Sequence, residues 1–178
     1  MDKPMPNFAF QMMSATFKLR DLVRPRAEIL DEVEIRPGDR VLDFGCGPGG
    51  YVAPVAERVG ASGAVYALDL HPLAVQKVQD LAKKRGLENV RTIHSDCHTG
   101  LPENSVDVVL LYDIVHMLSE PRAVLGELYR VLKPDGVLSV NEPHIGEDDV
   151  LARVTDGRLF RLAERGERTY SFAKASPQ

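Results

Sequence analysis

The sequence predicts an α/β fold in which a doubly wound sheet of five parallel strands is followed by a C-terminal antiparallel hairpin. Short runs rich in β-branched residues alternate with amphipathic helical segments, and this alternation is typical of a parallel sheet with helices on both faces. The fourth and fifth runs are almost continuously apolar, as expected of strands covered on both faces. Near the end of the chain, two short segments flank a turn, which indicates the hairpin.

The predicted parallel strands are short apolar segments bounded by turn residues. The fourth and fifth lack the polar alternation of a half-exposed strand, so they are expected at the centre of the sheet. The five strands are Arg40 to Phe44, Ala64 to Asp69, Val90 to Ser95, Val106 to Tyr112 and Gly136 to Glu142.

Four helices are predicted around these strands. Gly50 to Val59 places its apolar residues on one face. Pro72 to Arg85 has a proline in its first turn and ends at Gly86, a residue favoured after helix C-termini. Pro121 to Leu132 stops at a Lys-Pro-Asp-Gly turn. Glu147 to Thr155 begins with acidic residues, which suit the positive end of a helix dipole.

The two ends of the chain depart from this alternation. Apolar residues such as Phe8 and Met12 recur at helical spacing and predict an N-terminal helix that breaks at Pro25, after which a second helix runs to residue 33. The segments Leu159 to Glu164 and Arg168 to Ala173 flank a turn that contains glycine and predict the hairpin. We therefore divide the chain into an N-terminal helical cap, residues 1–36, and a core, residues 37–178.

Length, charge and cysteine content limit the classes of function that the chain can have. The 178 residues are 44% hydrophobic and 27% charged, which excludes a disordered chain and fits one domain overall. The 22 basic and 26 acidic residues give a net charge of −4, which disfavours nucleic acid as a partner. No apolar run approaches the ~20 residues of a membrane helix. Two cysteines and no apolar signal core predict a cytoplasmic protein with reduced thiols.

The first strand runs directly into the glycine-rich turn VLDFGCGPGG, and a helix follows at once. Gly45, Gly47 and Gly50 match the GxGxxG fingerprint of Rossmann-like folds in its strand–turn–helix context. Glycines in this position let the backbone approach a ligand without an intervening Cβ. No Lys-Ser/Thr pair follows the glycines, so an ATP-type phosphate loop is excluded.

Three aspartates lie near the carboxyl ends of the first three predicted strands. Asp69 follows Gly45 by 24 residues, and a carboxylate at this position can accept hydrogen bonds from both ribose hydroxyls of a bound nucleotide. Taken singly, Asp43 could cap the glycine turn and Asp96 could be an ordinary turn residue. Their joint placement at one edge of the sheet favours a ligand site.

These motifs resemble those of the class I S-adenosylmethionine-dependent methyltransferases, and more narrowly the small-molecule type 11 branch, which includes quinone-biosynthesis enzymes. The resemblance covers residues 37–143. The first family motif has an acid–x–Gly–x–Gly–x–Gly core, which corresponds to Asp43, Gly45, Gly47 and Gly49. The later motifs correspond to VYALDL (Val65 to Leu70), HSDC (His94 to Cys97), VDVVLLYDIVHML (Val106 to Leu118) and LYRVLKPDGVLSV (Leu128 to Val140).

The resemblance implies a role for each part of the site toward S-adenosylmethionine. Gly45 and Gly47 are expected under the methionine part, and Asp43 is expected to organise their loop. The backbone around Tyr112 and Asp113 is expected to touch the same end. A sulfonium cation without phosphate suits an acidic rim, whereas a dinucleotide favours helix N-terminal donors and positive charge.

For the adenosine part, the resemblance implies that Asp69 binds the ribose hydroxyls and that Leu70 packs on the adenine. Asp96 is expected to accept a hydrogen bond from the exocyclic amine, with Cys97 beside it. The implied cofactor-binding residues are Asp43, Gly45, Gly47, Gly49, Asp69, Leu70, Asp96, Cys97 and Tyr112.

The candidate catalytic residues on the acceptor side follow the fourth and fifth strands. His116 could act as a base near neutral pH, or it could orient the helix beside it. Glu142 and His144 flank a proline and could face the acceptor or simply end the strand. Met12 and Phe17, with the neighbouring Met13, could form a lid or belong to the core.

The sequence thus predicts an enzyme that transfers a methyl group from S-adenosylmethionine to a small-molecule acceptor by in-line displacement. Methylation of RNA or protein, an NAD(P)-dependent oxidoreductase and a non-catalytic cofactor-binding module stay open as alternatives. His94, Cys97 and His98 are close in sequence, but no second cluster completes a set of four ligands, so no metal site is expected.

Overall fold

Seven strands form one mixed sheet in the computed structural model, which describes residues 5–12, 14 and 27–175. The order across the sheet is β3-β2-β1-β4-β5-β7-β6, where β1 is Arg40–Phe44, β2 Ala64–Asp69, β3 Val90–His94, β4 Val106–Tyr112, β5 Leu132–Asn141, β6 Phe160–Arg165 and β7 Tyr170–Lys174. The first five strands are parallel. β7 pairs antiparallel with both β5 and β6. The predicted fold class is therefore confirmed.

The helices lie where the sequence periodicity predicts them. They are α1 (Ala27–Leu30), α2 (Val52–Val59), α3 (Pro72–Arg85), α4 (Pro121–Val131) and α5 (Glu147–Thr155), with a 3-10 turn at Val115–Met117. α3 ends as predicted, because Gly86 adopts the left-handed conformation with φ 64°. Residues 7–12 and 14 are also helical, while Pro25 and most of the predicted N-terminal helices lie outside the described residues.

The hydrophobic core consists of two layers, one on each face of the sheet. Successive residues of a strand point to opposite faces, so Val41 packs with α2 and α3 while Leu42 packs with α4 and α5. Val55 belongs to the first layer and Val154 to the second. In β4, six of the seven residues are buried. This explains why its sequence is almost continuously apolar.

The predicted Lys-Pro-Asp-Gly turn does not separate α4 from the fifth strand, which corrects the expected strand start at Gly136. The strand already begins at Leu132, which pairs with Val106, and pairing resumes at Val137 with Val108. One residue of β4, Asp107, therefore faces four residues of β5 in a bulge. Its carboxylate accepts hydrogen bonds from Lys133 Nζ and from the Arg40 backbone N–H. This contact joins segments that are far apart in sequence at the point where the strand continues through the turn sequence.

The strand order places a crevice at the carboxyl ends of the parallel strands. The chain leaves β1 toward β2 on one side and later returns to β4 on the other, so the connections diverge between β1 and β4. In open α/β sheets, ligands bind at such a divergence. No helix in the described ranges has the length and apolar character needed to span a membrane.

Candidate active site

A cleft of about 320 Å³ lies at this divergence. It is lined by the glycine turn after β1, by the residues that follow β2, β3 and β4, and by part of the N-terminal segment. Seven of the nine predicted cofactor-binding residues contribute to the lining, namely Asp43, Gly45, Gly47, Asp69, Leu70, Asp96 and Tyr112.

Two glycines of the turn have distinct structural reasons to lack a side chain. Gly45 has φ +79°, and a Cβ built on it would clash with Cδ1 of Ile114. Gly47 has φ +51°, and a Cβ built on it would meet nothing within 4 Å. Because Gly47 also lines the cleft, its bare backbone leaves open space where a ligand can approach.

The structure gives Gly49 and Cys97 positions outside the cleft lining. A Cβ on Gly49 would lie 2.9 Å from Cγ2 of Val78, so this glycine allows the turn to pack closely on α3. Cys97 is partly buried and packs against the core layer that includes α4 and α5. Both therefore have a packing role in addition to the cofactor role that the resemblance implies.

Asp69 joins the end of β2 to the glycine turn. Its Oδ2 accepts a hydrogen bond from the Gly47 N–H at 2.8 Å, and its Oδ1 accepts one from the His71 N–H at 2.7 Å. Burial raises the pKa of Asp69, and the two backbone donors offset this only in part. The carboxylate and the bare glycine backbone thus lie in the same cleft.

The N-terminal segment closes one side of the cleft through residues that the sequence analysis did not single out. Met5 and Phe10 line the cleft, and Phe10, only 2% exposed, stacks on the ring of His71 at 4.3 Å. Nδ1 of His71 accepts a hydrogen bond from the Leu73 N–H. The His71 proton is therefore on Nε2, which donates to the carbonyl oxygen of Met5 at 3.0 Å.

This arrangement shows that Phe8 and Met12, apolar residues whose spacing predicts the N-terminal helix, are not the ones that are buried. Phe8 is 74% exposed and Met12 is 58% exposed, while Phe10 between them is buried. Met12 is not part of the cleft lining, and the other predicted lid residues, Met13 and Phe17, lie outside the described residues. The His-Pro pair at the start of α3, an N-cap followed by proline, is the sequence signal that could have drawn attention to His71.

The three predicted acceptor-side residues come together at the ends of β4 and β5. Tyr112 pairs with Asn141, so the segments that follow the two strands lie side by side. Nδ1 of His116 is 2.9 Å from Oε2 of Glu142, and the rings of His116 and His144 have centroids 4.7 Å apart. None of the three lines the cleft, but Asp113 and Met117, which precede and follow His116, both do. The cluster therefore adjoins the cleft.

Glu142 is held as a buried, ionised carboxylate. Its side chain is 0% exposed. Oε2 also accepts from the His116 backbone N–H, and Oε1 accepts from the His144 backbone N–H, each at 3.2 Å. Burial alone would raise the pKa of Glu142, but the hydrogen bonds from His116 and His144 outweigh it and lower the pKa. In the described part of the chain, no group of three His, Cys, Asp or Glu residues is arranged to hold a metal ion.

Comparison with known proteins agrees with this fold and site. A family model described as a methyltransferase domain matches residues 35–172. Demethylmenaquinone methyltransferase of Geobacillus sp. (strain WCH70) is 30% identical over 128 residues, which are 71% of this chain and 55% of that protein. Nocamycin O-methyltransferase of Saccharothrix syringae is 35% identical over 125 residues, which are 69% of this chain and 45% of that protein.

Among solved structures, a SAM-dependent methyltransferase from Aquifex aeolicus superposes with a TM-score of 0.75 at 29% identity. The match covers 89% of this chain and 97% of that one. In contrast, the chain spans about half the length of the curated relatives that it matches. Since the family model covers well over half of its residues, the chain belongs to the methyltransferase domain family, among the class I S-adenosylmethionine-dependent methyltransferases.

Proposed function

We propose that this protein transfers a methyl group from S-adenosylmethionine to a small-molecule acceptor. The observation that carries the proposal is the crevice where Gly47 presents a bare backbone 2.8 Å from the carboxylate of Asp69. The family supports the same activity. Two relatives are named as a demethylmenaquinone methyltransferase and a nocamycin O-methyltransferase. Both names refer to small molecules, which supports a small-molecule acceptor here.

The charge of the cleft fits S-adenosylmethionine better than a dinucleotide. Asp43, Asp69 and Asp96 line the cleft, and among the described residues no Lys or Arg does. An acidic lining attracts a sulfonium cation, whereas the phosphates of NAD(P) need donors and positive charge. We assign the ribose hydroxyls to Asp69, the adenine to Leu70 and Asp96, and the methionine end to the glycine turn and Tyr112.

S-adenosylmethionine, when bound, supplies a methyl group on a positively charged sulfur that is already activated for displacement. The main tasks left to the protein are therefore to align the acceptor and to exclude water, and a base is needed only where the acceptor must lose a proton. Apolar side chains suited to the second task line the same cleft, from the N-terminal segment and from the segment after β4: Met5, Phe10, Ile114, Met117 and Leu118.

A cytoplasmic location and a lack of nucleic-acid partners are part of this proposal. Two free cysteines, Cys46 and Cys97, suit a reducing compartment. A net charge of −4 disfavours RNA as the acceptor, because RNA binding depends on many phosphate contacts.

Titration calorimetry tests the proposal against its alternatives. We expect S-adenosylmethionine to bind and NAD(P) not to bind; binding of NAD(P) alone would replace the proposal by an oxidoreductase. Radiolabelled S-adenosylmethionine is then offered with a panel of small phenols, amines and thiols, and with transfer RNA as a separate sample. Label that enters only the transfer RNA would overturn the small-molecule acceptor, and binding without any turnover would leave a non-catalytic module.

A further inference from the structure

The cluster of His116, Glu142 and His144 after β4 and β5 contains a carboxylate, Glu142, whose two oxygen atoms both accept hydrogen bonds. Glu142 receives three hydrogen bonds, one from the imidazole of His116 and two from backbone N–H groups. The carboxylate has no exposed surface, so water cannot compete for these contacts. A fixed, ionised acceptor next to an imidazole determines which ring nitrogen carries the proton.

For His116, this contact places the proton on Nδ1. An ionised carboxylate accepts hydrogen bonds and cannot donate them, so the ring nitrogen 2.9 Å from Oε2 must be the N–H. The other nitrogen, Nε2, then carries the lone pair in the neutral ring. The His116 side chain is 27% exposed, and its neighbour Met117 lines the cleft, so the ring is partly accessible and lies close to the cleft.

We propose that Glu142 positions His116 so that its Nε2 is the general base for a methyl acceptor whose accepting atom is a phenolic or enolic hydroxyl oxygen. This inference rests on the proposed function. The O–H bond of the acceptor breaks and its proton bonds to Nε2, while the electron pair stays on oxygen and forms the new bond to the methyl carbon. The electron pair of the broken S–CH₃ bond stays on sulfur. The imidazolium of His116 later releases its proton to water.

The class of acceptor follows from the pKa of an imidazole base and from the apolar side chains beside it. Imidazole has a pKa near 6.5 and a phenol one near 10, so proton transfer from a phenol to imidazole during methyl transfer is feasible. An ordinary thiol, with a pKa near 8.5, loses its proton more readily than a phenol and depends less on a base. The side chains of Ile114, Met117 and Leu118 line the adjoining part of the cleft. They suit the apolar body of an aromatic or enolic molecule.

The first test reads the tautomer directly, without any methyl donor. In protein labelled with ¹⁵N-histidine, we expect the Nδ1 and Nε2 shifts of His116 to show a proton on Nδ1 at neutral pH. In Glu142→Gln, which removes the charge, the two tautomers should mix. Glu120→Gln, at an exposed position where the side chain makes no capping hydrogen bond at the start of α4, is the matched control and should leave the spectrum unchanged. A proton on Nε2 in the wild type would overturn the inference.

The second test separates a base from a structural contact with His116→Asn. The asparagine amide can still donate to Glu142 but has no basic nitrogen. With 1,4-dihydroxynaphthalene as the acceptor probe, we expect kcat to fall ~100-fold or more. With 4-methylbenzenethiol, which is already ionised in mildly alkaline buffer, the rate should change little. Unchanged transfer to the hydroxyl probe would remove His116 from the reaction.

Binding measurements keep this inference distinct from the proposed function. Glu142 and His116 lie outside the cleft lining, so both variants should bind S-adenosylmethionine with wild-type affinity in calorimetry. If the wild type binds S-adenosylmethionine and methylates the thiol but not the hydroxyl probe, the base is wrong and the methyltransferase stands. If the wild type does not bind S-adenosylmethionine, the proposed function itself fails.

Discussion

At the scale of single residues, the carboxylate of Asp69 is the most informative position to change. We expect Asp69→Ala to weaken S-adenosylmethionine binding tenfold or more, because hydrogen bonds to a charged group contribute ~1.5–3 kcal/mol each. The substitution also removes the acceptor for the Gly47 and His71 backbone N–H groups. Calorimetry gives the affinity, and circular dichroism checks that the variant is folded. Wild-type affinity in a folded variant would exclude the ribose role.

A pair of glycine substitutions tests the turn. Gly45→Ala places a Cβ against Ile114 at a positive φ, so we expect loss of S-adenosylmethionine binding and a lower melting temperature. Gly126→Ala is the matched control, because a Cβ there meets nothing within 4 Å in the middle of α4. Alanine favours helices over glycine by up to ~1 kcal/mol, so the control should be neutral or stabilising. Equal behaviour of the two variants would contradict this account of the turn.

At the scale of elements, Glu127 connects α4 by hydrogen bonds to the loop that follows β3. It accepts hydrogen bonds from the backbone N–H and the hydroxyl of Thr99, and from Arg130. The Arg130 hydrogen bond is the largest influence on its pKa; burial opposes it and Thr99 assists it. Together they lower the pKa from 4.5 to about 2.

This contact should make stability depend on acidity. A carboxyl whose pKa is lower in the folded state stabilises the fold above its unfolded pKa, and the contribution disappears as the pH falls toward the folded value of about 2. We expect Glu127→Gln to lower the free energy of unfolding by ~1–3 kcal/mol at neutral pH, and the difference from wild type to shrink in acid. Urea denaturation across this range measures it, and a difference independent of pH would contradict the assignment.

The N-terminal segment is the element that closes the cleft in the described residues. Phe10→Ala removes the ring that stacks on His71. We expect it to weaken S-adenosylmethionine binding several-fold and to expose the segment to proteases, while the sheet stays folded. Phe8→Ala, on the exposed side of the same helix, is the control and should change neither result. If both variants behave like wild type, the segment does not contribute to the closed cleft.

At the scale of the whole molecule, stability depends on joining the antiparallel strands to the parallel sheet. Phe172 on β7 is fully buried and pairs with Leu138 on β5 and Leu162 on β6. We expect Phe172→Ala to lower the free energy of unfolding by ~3–5 kcal/mol, as for other large-to-small core changes. Leu162→Ala, at a side chain that is 38% exposed, should cost less than half as much. Urea denaturation compares the two, and similar losses would contradict a core role for β7.

Much of the fold was predictable because its signals are local. β1, β2 and β4 have the predicted bounds, and so do α3 and α5, since each element is encoded by a periodic pattern and by its own terminal residues. The glycine turn and Asp69 were predictable for the same reason: the strand–turn–helix context is contained in one stretch of sequence. Cofactor roles for the individual residues stay predictions until they are tested.

Other features depend on contacts between segments that are far apart in sequence. β5 begins at Leu132, which pairs with Val106, and Asp107 accepts a hydrogen bond from the Lys133 side chain across the bulge. Phe10 rather than Phe8 is buried because the ring of His71 lies where it can stack. No periodicity within either segment encodes such a partner.

Local patterns along the chain are enough to predict the order of strands and helices, the glycine turn, the carboxylate next to it and the resemblance to the methyltransferase family. Contacts in the folded chain are needed to show that Glu142 is a buried partner of His116, that Gly49 packs on α3, and that Met5 and Phe10 line the cleft. His116 and Glu142 are 26 residues apart in the chain. Their hydrogen bond and the burial of Glu142 exist only once β4 and β5 lie side by side, so no local pattern in the sequence encodes them.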